Sequence, residues 1–131
     1  MIGMTWPAAI TLLTLLLLFY TAWQVGRARV AFGVKAPATI GNEVFERHFR
    51  VQMNTLENTV AFLPALWLAA WYFNPHWAAL AGAVWLAGRV WYALGYIASP
   101  KQRGRGFVVA YSAWGALVTM SIWGLVRLWL G

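Results

Sequence analysis

The sequence predicts an all-α integral membrane protein: one domain over residues 1–131, folded as a bundle of four transmembrane helices. Three observations lead there. Of the 131 residues, 62% are hydrophobic and only 10% are charged, a composition of membrane helices and not of a soluble core. Three long runs, 1–26, 58–88 and 106–126, contain no charge at all. The polar residues that do enter apolar stretches recur at helical spacing.

A span needs about 20 mostly apolar residues, so the first and third runs hold one helix each, over about 5–26 and 105–128. The first run lacks a basic leading segment, and its apolar stretch is longer than that of a signal peptide, so it reads as a retained span. The segment 33–43, GVKAPATIGNE, reads as an ordered turn from its glycine and proline content. The middle run is too long for one helix, and Asn74-Pro75-His76 is a turn signal that divides it into helices over about 46–73 and 76–98. Pro7 and Pro64 fall where membrane helices tolerate proline. Of the ten tryptophans, Trp6, Trp77 and Trp129 are placed for an interfacial belt.

The net charge of +7 is distributed unevenly. Arg27, Arg29, Lys35, Lys101, Arg103 and Arg105 fall in the connections 27–45 and 99–105, against Arg127 alone on the other side. The positive-inside rule puts those connections in the cytoplasm and both termini opposite, with the basic residues facing membrane lipids of that leaflet. There is no cysteine, and His48 and His76 are isolated, so no metal site is expected. Nothing in the pattern points to nucleic acid.

Two polar stripes break the apolar pattern. Arg47, Arg50, Asn54 and Glu57 occupy an arc of about 80° on the second helix, and Arg89, Tyr92 and Tyr96 one of about 60° on the third. An ionisable group within a bilayer costs about 2.5–3.5 kcal/mol, and a chain that keeps several usually uses them. The stripes carry three arginines against one carboxylate. Guanidinium forks, an amide, two phenols and one carboxylate suit a small zwitterion with excess negative charge, and Gln52 adds an amide from a neighbouring face. An ion-pair network between helices 2 and 3, for example Arg89 with Glu57, is the structural alternative.

The run from Glu46 to Glu57, E-R-x-x-R-x-x-x-N-x-x-E, resembles the second-helix signature of the MAPEG family, the membrane-associated proteins in eicosanoid and glutathione metabolism. Arg89-x-x-Tyr92-x-x-Gly95-Tyr96, followed by Arg103, is similar to a second motif of that family, and Arg29 with Phe32 resembles its basic exit from helix 1. The pattern is that of the microsomal glutathione transferase-like members. Asn58 stands where some members have an aromatic.

This resemblance implies a homotrimer that binds glutathione as co-substrate between subunits. Carried over by position, Arg50, Asn54, Glu57, Arg89, Tyr92 and Tyr96 would hold the peptide, with Arg29 and Gln52 contributing. Arg103 would face the thiol, with Arg105 as the other candidate. The implied activity is glutathione transfer to a lipophilic electrophile, or reduction of a lipid hydroperoxide. A non-catalytic, lipid-binding member of the family is the alternative. A small four-span multidrug exporter is disfavoured, because residues 1–26 hold no carboxylate.

Overall fold

The computed structural model describes residues 2–131. Four helices account for nearly all of them: α1 (Thr5–Phe32), α2 (Glu43–Tyr72), α3 (Pro75–Ala98) and α4 (Gly104–Leu130). Single 3-10 turns, Ile2–Met4 and Pro100–Gln102, precede α1 and α4.

Each boundary has a local cause. α1 runs six residues past the expected end at 26 because hydropathy reports where lipid ends, not where a helix ends. It stops at Gly33, whose positive φ of 68° suits glycine, and Val34 N–H closes the turn onto Arg29 O at 3.1 Å. α2 starts at Glu43, three residues before the expected 46, because Asn42 Oδ1 accepts from Phe45 N–H at 3.0 Å. Asn74 caps α3 in the same way, accepting from His76 and Trp77 N–H at 2.9 and 3.1 Å, with Pro75 in the first turn, where its missing N–H costs nothing. Pro64 lies within α2 without ending it.

By length and composition, Ile2–Phe32, Pro75–Ala98 and Pro100–Leu130 can each cross a membrane. α2 falls outside that set because its first half carries the polar stripe. At 30 residues, about 45 Å, it is nonetheless long enough to span. The exterior is apolar, with Leu12, Leu16, Phe19, Trp71 and Trp123 all exposed, as a surface facing lipid requires.

The core centres on Phe62 of α2, stacked on Trp85 of α3 at 3.7 Å between ring centroids, with Leu66 and Leu117 fully buried beside them. α3 and α4 are in backbone contact. A Cβ on Gly88 would lie 2.6 Å from Ala110 N, and one on Gly106 would collide with Tyr92 N. Small residues at such crossings let backbones touch, which is how helices associate without a hydrophobic drive. This contact sets the start of α4 against the polar stripe of α3.

Candidate functional site

Three i, i+4 pairs line one cleft of about 330 Å³: Arg50 and Asn54 from α2, Tyr92 and Tyr96 from α3, and Arg103 at the N-cap of α4 with Phe107 in its first turn, with Gly104 leaving room between the last two. Residues four apart share a helix face, so each pair points the same way. The Arg103 guanidinium lies 5.6 Å from the Tyr96 ring centroid. Tyr92 is tilted against Tyr96 at 5.7 Å and against Phe107 at 6.4 Å, which fixes the orientation of its ring. No carboxylate lines this cleft.

Arg89 stands behind the cleft, only 1% exposed, with no carboxylate partner among the described residues. Its Nη2 donates to Asn54 Oδ1 and to Thr55 Oγ1, both at 2.9 Å, and its guanidinium lies 4.3 Å from the Tyr92 ring centroid. Asn58 Nδ2 donates to the same Asn54 oxygen at 3.2 Å and to Asn54 O at 2.8 Å. A guanidinium can only donate, so the Asn54 atom facing it is the oxygen, and what remains for the cleft is the amide NH2. Arg89 thus converts Asn54 into a donor. The Nε of Arg89 is buried without a partner among the described residues, so they satisfy the charge only in part.

The expected stripes are therefore divided. Arg50, Asn54, Tyr92, Tyr96 and Arg103 come together, whereas Arg89 supports them from behind. Arg47 does not join the cleft, because it pairs with Glu43 at 2.8 Å and donates to Ile97 O at 3.2 Å. Glu57 lies exposed on α2 and makes no pair with Arg89, so the ion pair considered above is absent among the described residues. Gln52 is half-buried off the cleft. Arg29 folds onto the following loop, donating to Ala38 O at 2.7 Å and to Val34 O at 3.4 Å, with the Phe45 ring 4.8 Å beneath it. Arg105 lines a separate groove with Trp91, Gly95 and Lys101. Thr55 and Phe107 went unrecognised in the sequence. The available signal for Thr55 was a hydroxyl one residue from the stripe, and for Phe107 its i+4 spacing from Arg103.

All the cleft residues fall within 7–126, the segment matched by the profile of the MAPEG family. The chain belongs to the MAPEG family. Among the proteins it is similar to, an uncharacterized protein of Synechocystis sp. is 53% identical over 104 residues, 79% of this chain and 76% of that protein. Microsomal glutathione S-transferase 2 of Homo sapiens is 37% identical over 123 residues, covering 94% of this chain and 84% of its own. Leukotriene C4 synthase of Bos taurus is 40% identical over 119 residues, covering 91% and 79%. Like the helical composition, membership in MAPEG makes this a multi-pass integral membrane protein.

Proposed function

We propose that this MAPEG protein is a membrane-bound glutathione S-transferase. The observation that carries the reading is a cleft lined by two guanidiniums, an amide held as a donor and two phenols, with no carboxylate of its own. Its ligand must bring negative charge. Glutathione brings two carboxylates, an ammonium and a thiol, and the relatives named as a glutathione S-transferase and a leukotriene synthase support the choice.

Arg50, the Asn54 amide, Tyr92 and Tyr96 receive the peptide, and Arg103 receives the sulfur. The thiol releases its proton to water, because the thiolate is the nucleophile and a guanidinium lowers its energy without titrating. The sulfur then bonds to an electrophilic carbon as a halide leaves or an epoxide C–O bond opens. The same thiolate would reduce a lipid hydroperoxide by taking its terminal oxygen, releasing an alcohol, with a second glutathione closing the disulfide and releasing water. The lipophilic substrate comes from the bilayer. The functional unit is a homotrimer, in which Arg29, Gln52 and Glu57, all off the cleft within one chain, complete a neighbour's site; Glu57 then meets the ammonium. The basic connections face the cytoplasm.

Purified protein in detergent, titrated with glutathione while thiolate absorbance is followed, is expected to give a saturable signal, then conjugate on addition of an aryl halide. Binding without conjugation or hydroperoxide reduction would leave the non-catalytic lipid-binding reading; no binding at all defeats both. Arg50→Ala is expected to weaken glutathione binding by at least about 2 kcal/mol, the scale for removing one partner of a desolvated charge pair. Unchanged affinity in the folded variant removes Arg50 from the site. Sidedness is tested with Ala36→Cys and His76→Cys, which should label from opposite faces of sealed vesicles with an impermeant reagent. Labelling from the same face refutes the orientation.

A further inference from the structure

The α3–α4 pair has a second flank. Trp91 and Gly95 lie about 100° around α3 from Tyr92 and Tyr96, and there, with Arg105 and Val108 of α4, they bound a groove of about 840 Å³ that shares only Gly104 with the cleft. Gly95 has no side chain to fill it, and none would fit, because a Cβ there would lie 2.5 Å from Gln102 O. Lys101 and Arg105 stand at its mouth, both exposed and neither in an ion pair among the described residues. All three carboxylates of the chain, Glu43, Glu46 and Glu57, are on α2, which does not line this groove.

The groove is graded in depth. The two cations sit where α3 ends and α4 begins, the end of the bundle that the charge pattern assigns to the membrane surface. Val108 lies about one turn into α4 and Trp91 about two turns back from the end of α3, and both are exposed, as surfaces in contact with hydrocarbon are. A soluble anion would use the cations and leave the apolar walls empty. A second copy of this chain has little to offer the cations, since Glu43 is paired with Arg47, Glu46 accepts from Gly41 N–H, and the exposed Glu57 is the carboxylate assigned above to the glutathione ammonium. A molecule with an anionic head and an acyl tail satisfies both levels.

We propose that this groove binds an anionic phospholipid, its phosphate between Lys101 and Arg105 and an acyl chain along Trp91 and Val108. The site uses none of the side chains of the glutathione cleft and explains why the chain carries Arg105 beside Arg103.

The test is native mass spectrometry of the purified protein in neutral detergent, offered equimolar phosphatidylglycerol and phosphatidylcholine of the same chain length. Wild type should retain the anionic lipid about 10- to 30-fold in excess, the combined effect of two surface cations. The ratio should fall towards parity in Lys101→Gln/Arg105→Gln and also in Val108→Trp, which fills the groove without touching charge. Glutathione binding and circular dichroism check that each variant is folded. If the double variant does not fold, Val108→Trp decides alone. Loss in the charge variant with full retention in Val108→Trp would mean diffuse attraction to the surface and would overturn the proposal. So would equal retention in all three proteins. Displacement of the lipid by millimolar inorganic phosphate would reassign the site to a soluble anion.

Discussion

Arg103→Ala is expected to lower the conjugation rate at saturating glutathione by about 10²- to 10³-fold, or about 2.7–4 kcal/mol of barrier, the usual loss when one preorganised donor is taken from a developing or resident anion. Glutathione binding should be largely retained, because Arg50, Asn54 and the two tyrosines remain. The bound thiol should also ionise at higher pH than in wild type. Lysine should restore only part of the rate, since an ammonium on a flexible stem lacks the fixed fork of a guanidinium. Arg105→Ala is the comparison of interest. Arg105 lines the groove on the other flank of α3–α4, so its removal should leave single-turnover conjugation nearly unchanged. A large loss confined to the Arg105 variant would transfer the role to that residue.

The second large effect concerns the scaffold. Gly106→Val places a branched side chain where even a Cβ would collide with Tyr92 N and lie 2.7 Å from Gly88 O. Overpacking of a tight core costs about 1–3 kcal/mol and occasionally more; here both obstacles are backbone atoms that cannot rotate aside, so about 3 kcal/mol or greater is expected. Because Gly106 stands between Arg103 and Phe107 and packs on Tyr92, the same change should abolish glutathione binding. Gly115→Ala is the control: its Cβ meets nothing within 4 Å, and alanine favours the helix by roughly 0.8–1 kcal/mol. Thermal unfolding in detergent distinguishes the two. A Gly106→Val protein that melts with wild type would show that the helices are not in backbone contact.

Much of this was legible in the residues. The four helices follow from the lengths of the uncharged runs and from Asn74-Pro75, because the hydrocarbon thickness imposes a minimum length. Arg50 with Asn54, and Tyr92 with Tyr96, were legible as one-face pairs because helical periodicity survives whatever the helix packs against. Periodicity assigns a face but not a neighbour, and here the reading reached its limit. Arg47 and Arg50 share a stripe, yet Arg47 is claimed by Glu43 and the Ile97 carbonyl, which only the folding of α2 onto the end of α3 brings near. Arg89 could have met Glu57 or Asn54 from spacing alone; packing selects Asn54 and Thr55. The extension of α1 to Phe32 escaped for a different reason: past the lipid boundary a helix needs no apolar residues, and only Gly33 marks its end.

The walls of the cleft contain no imidazole, carboxylate or cysteine. Around the sulfur of the proposed glutathione complex, what the chain would set is a standing electric field, not a proton relay. A guanidinium neither gives up nor takes a proton near neutrality, so this field is the same at pH 6 as at pH 8. The pH profile of conjugation should accordingly contain a single ionisation across that range, belonging to the bound thiol, where an acid–base pair would give a bell. A profile with two limbs between pH 5 and 9 would mean that a group from outside this cleft takes part. In a compartment that acidifies, such a site stays loaded and charged while the nucleophile itself fades, so acidity restrains the chemistry through the substrate and leaves the protein unaltered.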